Sequence, residues 1–209
     1  MNDTVKEILE WVYCILIAFV LALLFRYFIL TPTVVKQRSM FPTLKEDQRL
    51  ILSRTFRITG LELNRGDIVT FEAPSQGYSK WEAEQNNPVA KYNNNPNSLF
   101  EKFVYYTLEL TKRSYIKRVI GLEGEHVKIE DGKVYINGEE LEEEYLAEDV
   151  VTTSEVFYDF IVPEGYVFCM GDNRLNSKDC RDLGCIPLEK IEGVVTFRFW
   201  PFDVFGKID

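Results

Sequence analysis

The chain is organised around two short stretches, Ser39-Met40-Phe41-Pro42-Thr43-Leu44 and Tyr115-Ile116-Lys117-Arg118-Val119-Ile120-Gly121. The first is typical of a turn that closely follows a long apolar segment, and the second is typical of a short strand with apolar flanks. A serine in a turn and a lysine in an apolar strand are the residue types of a nucleophile and its base. We therefore predict a mainly β domain that carries a lysine-activated serine at a membrane surface.

The base of this predicted site is a lysine because histidine is nearly absent. His126 is the single histidine among 209 residues, whereas a Ser-His-Asp arrangement needs an imidazole beside the nucleophile. A lysine accepts a proton only as the free amine, so burial must lower its pKa from about 10.4. The apolar side chains of Tyr115–Ile120 would provide that burial, with Lys117 on the strand face opposite Ile116 and Arg118.

A membrane span is predicted from Trp11 to Leu30, a segment that contains one charge, Arg26. As a helix it would reach about 30 Å, the thickness of the hydrocarbon layer, and Thr31-Pro32 would stop it. A cleaved signal peptide is the rival interpretation, but no small-x-small cleavage site follows the segment. A buried helix of a soluble protein is the other alternative, and so long an apolar run argues against it. The predicted organisation is a short tail at 1–10, an anchor at 11–30 and a catalytic β domain at 31–209.

The orientation of this span does not follow from its flanking charges. Lys6 is the only basic residue before it, whereas Arg26, Lys36 and Arg38 lie at its end or beyond. The positive-inside rule therefore gives no support for a cytoplasmic tail, although large domains can be translocated regardless of such counts.

Composition excludes some classes of partner and site. The formal net charge of -9 argues against nucleic acid, which favours a basic face. The acidic run Glu139–Glu144 is interpreted as a solvated edge, because it lacks the regular spacing of a cation site. One histidine and no Cys-x-x-Cys pair argue against structural zinc. Cys180 and Cys185 are close enough in sequence to pair in an oxidising compartment, but the cysteine usage is not that of a disulfide-stapled fold.

Short β-branched or apolar runs bounded by turn residues recur after the predicted anchor and indicate antiparallel strands. They are Val34-Val35, Arg49–Leu52, Asp67–Phe71, Tyr115–Ile120, His126–Glu130, Lys133–Ile136, Phe157–Val162, Tyr166–Met170 and Gly193–Phe199. Asp131-Gly132 and Asn137-Gly138 are strong turn signals within this series. The predicted fold is a mixed antiparallel sheet with little helix and no internal repeat.

A polar, asparagine-rich stretch from Ser75 to about Asn97 interrupts this pattern and indicates an insertion at about 73–114 that leaves the core. Ser98 is placed to cap a small helix with one apolar face. That face consists of Leu99, Phe103, Tyr106 and Leu110. It would either pack on the sheet or, with Lys102, Lys112 and Arg113 near its ends, lie on the bilayer.

A third stretch, Gly171-Asp172-Asn173-Arg174-Leu175-Asn176-Ser177-Lys178-Asp179-Cys180-Arg181, would by itself be taken for a tight turn and a surface loop. Combined with the anchor, the serine turn, the Gly66-Asp67-Ile68-Val69 strand and the lysine strand, it changes that interpretation. In this order the motifs cover nearly the whole chain, which resembles the type I signal peptidases, membrane-bound Ser-Lys endopeptidases that remove signal peptides from exported proteins. The insertion has no counterpart in the smallest members of that family.

The resemblance implies a role for individual residues. Ser39 would be the nucleophile and Lys117 its general base, with Ser177 donating a hydroxyl that orients the lysine amine. Asp179 and Arg181 would form a supporting ion pair, Gly171 and Asp172 would shape the turn beside the lysine, and Met40 would adjoin the substrate pocket. The position two residues before the nucleophile is Gln37 here, where family members often have Ser or Gly; its amide is the candidate second donor of the oxyanion hole.

The resemblance also implies a fold, a substrate and a location. It implies an antiparallel β-sheet Ser-Lys peptidase fold without metal or cofactor, acting on signal peptides with small residues one and three positions before the cut. The peptide would add to a sheet edge, where alternate side chains point the same way. The expected partner is the lipid bilayer, with no nucleic acid, and the expected form is a single-pass monomer with its catalytic domain on the extracytoplasmic side.

Besides Gln37, two departures and two rivals accompany the resemblance. Gly121–Glu125 differs from the family's Gly-x-Pro-Gly-Asp turn, and Cys180 replaces the usual Ser between Asp179 and Arg181. One rival is a noncatalytic signal-peptidase-like assembly factor for surface pilins, which would be expected to lack the nucleophile or the base. The other is a self-cleaving Ser-Lys repressor, which would carry a DNA-binding domain in place of the span.

Overall fold

The computed structural model describes residues 3–60, 62–93 and 96–208. Met1 and Asn2 of the predicted tail, and Asn94 and Asn95 of the asparagine-rich stretch, lie outside these residues. Within them the chain forms one long N-terminal helix followed by two antiparallel sheets with short helices between strands.

Helix α1 extends from Asp3 to Phe28 and contains an apolar stretch, Thr4–Phe28, long enough to cross a membrane. Its mean hydropathy is 2.6, and none of its most apolar window is buried against the rest of the protein. The helix begins inside the predicted tail and ends two residues before Leu30, which instead opens the first strand. Thr31 Oγ1 donates a 2.8 Å hydrogen bond to Arg26 O, satisfying a carbonyl at the helix end.

The predicted antiparallel β architecture is confirmed. The strands are β1 Leu30–Val34, β2 Arg49–Ser53, β3 Ile68–Glu72, β4 Ser114–Gly121, β5 His126–Glu130, β6 Lys133–Ile136, β7 Glu139–Glu140, β8 Asp159–Ile161, β9 Tyr166–Met170, β10 Ile186–Pro187 and β11 Ile191–Trp200. The larger sheet has the order β1-β2-β11-β3-β4-β9-β10, and the smaller one has the order β7-β6-β5-β8. The two-residue strands β7 and β10 were not predicted, because two residues carry no periodicity.

The two predicted turns of the smaller sheet are present. Asp131 and Gly132 join β5 to β6, and Asn137 and Gly138 join β6 to β7, all four with positive φ. Two consecutive residues of positive φ match the right-handed twist of the flanking strands, which is why Asp-Gly and Asn-Gly are favoured there.

Two apolar clusters stabilise the domain, and the lysine strand β4 contributes to both. The larger lies between the sheets and includes Val119 and Ile120 of β4 together with Phe168 of β9. The smaller lies beneath the serine turn and includes Met40 and Leu44, with Ile116 of β4 packed against it. Consequently the serine turn and the lysine strand are held by a common packed interior.

The first half of the insertion does not leave the core as predicted. Tyr78, Ala83 and Ala90 pack against the larger apolar cluster. Ala90 N donates to Cys185 O at 2.9 Å, and Cys185 N donates to Pro88 O at 2.6 Å. These backbone bonds satisfy the polar groups of an irregular segment, which explains why a polar sequence can cover the core. Cys180 and Cys185 are buried and free, so the pairing that the sequence left open is not formed.

The second half of the insertion contains the predicted helix. Helix α3 covers Leu99–Lys102 and continues as a π-helix over Phe103–Leu108. Ser98 accepts a hydrogen bond from Glu101 N while the Glu101 side chain accepts one from Ser98 N, which is a complete capping box. The apolar face of this helix is exposed, so it does not pack on the sheet.

The described residues contain two further short α-helices. Helix α2 covers Phe56–Thr59, after β2, and contacts the end of α1. Helix α4 covers Cys180–Leu183, begins at the end of the third sequence motif, and is capped by the Asp179 side chain.

Candidate active site

Ser39 and Lys117 lie together although 78 positions separate them in sequence. Ser39 is in a single 3-10 turn, Arg38–Met40, in the connection between β1 and β2. Lys117 is in the middle of β4, opposite Val69 of β3. Lys117 Nζ donates to Ser39 Oγ at 2.7 Å and to Ile116 O at 2.9 Å. The separation of Nζ and Oγ is that of a nucleophile and its general base.

The lysine is buried to an extent that favours the free amine. Only 2% of Lys117 is exposed, and this burial lowers the pKa of its ammonium group below the ordinary value. Asp179 and Asp172 oppose the shift because their negative charges favour the ammonium form, but burial is the larger effect. The Nζ atom also lies 5.3 Å from the centre of the Tyr115 ring, part of the apolar wall that the sequence predicted.

Asp172 joins all three sequence motifs. Its carboxylate accepts hydrogen bonds from Arg118 Nε at 3.0 Å and from an Arg118 terminal nitrogen at 2.9 Å. It also accepts a 2.6 Å hydrogen bond from Thr43 Oγ1. Arg118 follows Lys117 and Thr43 belongs to the serine turn, so one buried carboxylate holds both elements. The resemblance suggested that Asp172 shapes a turn; its contacts give it this wider role.

Asp179 and Arg181 form a buried ion pair in the same loop. Arg181 Nε donates to Asp179 Oδ1 at 2.9 Å, and a terminal nitrogen of Arg181 donates to Asp179 Oδ2 at 2.9 Å. Gly171 N donates to Asp179 Oδ2 at 2.9 Å, which connects the pair to the start of the loop. Because this carboxylate is fully buried, each of these donors compensates its lost hydration.

Gly171 allows this loop to approach Ser39 closely. A Cβ at position 171 would overlap Ser39 O and Ser177 Oγ, and would lie 2.7 Å from Ser177 Cβ. The neighbouring Asn173 N donates to Ser39 O at 3.1 Å, while Asn173 Nδ2 donates to Arg38 O at 3.0 Å. The loop therefore holds the backbone of the serine turn directly, in a space that only glycine fits.

Comparisons with known proteins match this arrangement to one family. The sequence model described as "Signal peptidase, peptidase S26" matches residues 8–200. The chain belongs to this signal peptidase family. It is 36% identical to signal peptidase I of Bacillus licheniformis, over 98% of this chain and 95% of that protein. It is also 36% identical to signal peptidase I T of Bacillus subtilis, over 93% of this chain and 86% of that protein.

A solved structure of a signal peptidase I from Enterococcus faecalis is similar at 29% identity with a TM-score of 0.42, covering 65% of this chain and 98% of that chain. The family relationship rests on the sequence matches, which extend over most of the chain. Membership of this family makes the protein a serine-type peptidase.

Ser177 occupies the position that the resemblance indicated without making the expected bond. Its Oγ is buried and has no hydrogen-bond partner among the described residues. Lys117 Nζ instead bonds Ser39 and the carbonyl of Ile116. The two side chains nevertheless border the same groove, beside Ser39.

Two grooves meet at the serine of this signal peptidase family member. One, of about 420 Å³, lies between the residues that follow β1 and those that open β4, and Met40 and Gln37 border it. The other, of about 710 Å³, lies towards the third motif and is bordered by Gln37 and Ser177. Gln37 is exposed and borders both, whereas Met40 is buried beneath the first. Within the described ranges no group of three or more His, Cys, Asp or Glu side chains is arranged to hold a metal ion.

Sequence reasoning missed the residues that support the site from outside the motifs. Glu143, interpreted as part of a solvated edge, accepts hydrogen bonds from Arg174, whose side chain is fully buried in the third motif. That interpretation is wrong for Glu143 but fits Glu139, Glu140, Glu142 and Glu144, which are exposed. A buried arginine needs a carboxylate partner, but the burial of Arg174 is visible only in the folded chain, so the sequence carried no signal for this pair.

Proposed function

We propose that this protein is a type I signal peptidase that cleaves signal peptides with a Ser39–Lys117 dyad. The observation that carries the proposal is the 2.7 Å separation of Ser39 Oγ from Nζ of a lysine that is 2% exposed, at a serine open to two grooves. Family membership supports the peptidase activity. The dyad is our assignment of that activity to atoms.

The mechanism begins with Lys117 as the neutral amine. Ser39 Oγ attacks the scissile carbonyl carbon while its proton passes to Lys117 Nζ, which becomes an ammonium. The tetrahedral intermediate collapses, the peptide C–N bond breaks, and Nζ returns the proton to the leaving amine. A water then attacks the ester, losing a proton to the neutral Nζ, and the ammonium returns that proton to Ser39 Oγ as the acyl group leaves.

The supporting residues would position the reacting groups without taking part in bond making or breaking. We assign Ser177 to orient the Lys117 amine during turnover. The Asp179–Arg181 pair, together with Gly171 and Asp172, would hold the loop against Ser39. The backbone N–H of Ser39 and the side-chain amide of Gln37 are the proposed donors to the oxyanion.

The groove of about 420 Å³ is the proposed site for the acyl side of the substrate. Its walls are two extended segments, residues 33–37 and 112–117, between which a peptide strand fits with main-chain pairing. Side chains one and three positions before the cut would point to the same side. Small residues there suit a groove whose floor includes the buried Met40.

We further propose that α1 anchors a monomeric protein in the cell membrane, with residues 31–209 on the extracytoplasmic side. The supporting observation is an apolar helix of sufficient length that is not buried by the domain. Ser39 follows the helix end at Phe28 by eleven positions, which suits a substrate whose own apolar segment is still in the bilayer. In this arrangement residues 73–114 remain a family-variable insertion in the catalytic domain.

The alternatives have less support. A pilin assembly factor without catalytic activity would not need a buried amine beside the serine, and Lys117 and Ser39 provide that pair. A self-cleaving repressor is a different class of protein, whereas residues 8–200 match the signal peptidase family model.

The test is cleavage of a preprotein with an Ala-x-Ala site by the intact protein in liposomes. We expect cleavage by the native chain, and by Ser79→Ala, which replaces an exposed serine in the insertion. Ser39→Ala should reduce cleavage to the uncatalysed background. Binding of the preprotein without cleavage by either protein would instead favour the assembly factor, and full activity of Ser39→Ala would exclude the dyad.

A further inference from the structure

The insertion presents an exposed apolar face that nothing in the described protein covers. We define the insertion face as Leu99, Phe100, Phe103 and Leu110, whose exposed fractions are 87%, 75%, 43% and 74%. A contiguous set of large exposed apolar side chains indicates an interaction surface, whereas single exposed ones do not. The complete Ser98–Glu101 capping box stabilises the start of this helix through local hydrogen bonds, so its own sequence favours the helix.

An ionic cluster fixes this face to the end of α1. Glu109, which ends the insertion helix, receives hydrogen bonds of 2.8 Å from both terminal nitrogens of Arg54. An Arg26 terminal nitrogen lies 3.7 Å from the same carboxylate and donates to Leu108 O at 3.1 Å. Arg26 belongs to the last turn of α1. A partly buried cluster of this kind fixes geometry because each charge depends on its partners.

The position of the cluster sets the depth of the insertion face. At 1.5 Å per residue the 25-residue stretch Thr4–Phe28 is about 37 Å long, which exceeds a hydrocarbon layer of about 30 Å. The last turn of α1 would therefore lie at the membrane interface. A further exposed apolar side chain, Ile58 of α2, lies near the same end of α1 and is 64% exposed. Its neighbour Arg57 donates a 2.9 Å hydrogen bond to Tyr27 O.

We propose that the insertion face docks on the lipid bilayer beside the end of α1, as a second membrane contact of the catalytic domain. This inference rests on the proposed membrane anchor. Its occupant is lipid because the helix that carries the face ends against the last turn of α1, the only helix among the described residues that could span a membrane. Leucine and phenylalanine with a neighbouring Lys102 are also the residue types of interfacial helices.

Docking would set the height of the substrate groove above the membrane. Leu110 of the insertion face is followed by Lys112 and Arg113, which line the groove of about 420 Å³ and lead into β4. A contact at Leu110 is therefore transmitted to the strand that carries Lys117. The groove would then be held where a membrane-inserted substrate exposes its cleavage site.

The experiment measures quenching of a fluorescent thiol label by nitroxide-labelled lipids in vesicles, with the full-length protein. The native Cys14 is exposed in α1, whereas Cys169, Cys180 and Cys185 are buried and protected from labelling in the folded protein. Three proteins are compared: native protein labelled at Cys14, and the variants Phe100→Cys and Ile161→Cys in a Cys14→Ala background. Ile161 is the matched control, since it is a 61% exposed apolar residue on an edge strand of the smaller sheet.

We expect loss of emission for the labels at 14 and 100, and unchanged emission for the label at 161. Quenching at 14 without quenching at 100 would overturn the docking and leave the anchor intact. Absence of quenching at 14 would overturn the anchor, and the docking with it. Equal quenching at 100 and 161 would show that the domain lies on the membrane by another face. An unquenched label at 100 in a protein that cross-links as a dimer would assign the face to a second copy.

Discussion

Replacing Gly171 by alanine tests the positioning of Ser39 separately from its proposed role as the nucleophile. The added methyl group would overlap two neighbours, Ser39 O on one side and the Ser177 side chain on the other. Ordinary van der Waals contacts of a Cβ begin at 3.4 Å. To remove the overlap, Ser39 O must therefore move away from the new methyl carbon by about 1 Å. The hydrogen bond from Asn173 N to the same carbonyl opposes this movement.

The magnitude follows from that displacement. A reacting group that is misplaced by about 1 Å loses about 100-fold in rate, so kcat/KM of Gly171→Ala should fall by about that factor. Overpacking of this kind costs about 1–3 kcal/mol of the free energy of unfolding. Both contacts contribute to the crowding, whereas only the contact with Ser39 O displaces the serine itself.

The assay is single-turnover cleavage of an Ala-x-Ala preprotein, combined with chemical denaturation. Gly77→Ala is the control glycine, because its nearest neighbour would be Asp182 O at 3.2 Å and only a small adjustment is needed. The double variant Gly171→Ala with Ser177→Gly should recover stability relative to Gly171→Ala, but not the rate beyond that of Ser177→Gly alone. A Gly171→Ala protein with kcat/KM within about twofold of native would refute the argument that Ser39 O limits this approach.

The remaining predictions concern charge. Lys117→Met should lower cleavage by at least about 100-fold, since general base catalysis contributes about 10² to 10⁴; retained processing would exclude the dyad. The same variant should unfold at a higher temperature than native protein at pH 7, because the unfolded lysine binds a proton more tightly than the buried one; this advantage should shrink as the pH rises towards about 10.4. The rate of the native enzyme should rise with pH through the lowered pKa of Lys117, with a midpoint below about 10.4, and a rate that falls over this range would contradict a neutral amine. Asp172→Ala should cost about 3–5 kcal/mol of unfolding free energy by leaving Arg118 buried without its partner, whereas Glu46→Gln, which breaks the exposed pair with Arg38, should cost less than about 1 kcal/mol.

Much of the fold followed from local patterns. Alternation and β-branched residues predicted most of the longer strands of both sheets, but not the two-residue strands β7 and β10. Asp131-Gly132 and Asn137-Gly138 predicted turns because positive φ is required there. The boundaries of α1 were less accurate. Hydropathy alone cannot place a helix end, which is decided here by pairing of Leu30–Val34 with β2 and by the Thr31 contact with Arg26 O.

The insertion shows where local reasoning failed. Its polar composition predicted an excursion from the core, but Tyr78 stacks edge-on against the buried Phe157 at 5.1 Å, and Tyr78 N donates to Asp182 O. Such contacts depend on partners roughly 80 to 100 positions away, which no periodicity within the segment encodes. The same applies to Glu143, whose partner Arg174 is identified only by the folded chain.

The sequence by itself determined that this chain has an apolar helix, a β domain and a serine and lysine in the motifs of a peptidase family, because these depend on residue types and short spacings. Only the tertiary structure decided that Ser39 and Lys117 meet at 2.7 Å, and that Asp172 ties their elements together through Arg118 and Thr43. The physical reason is that burial and distance are properties of packed elements. An amine becomes a base when strands from distant parts of the chain remove it from water.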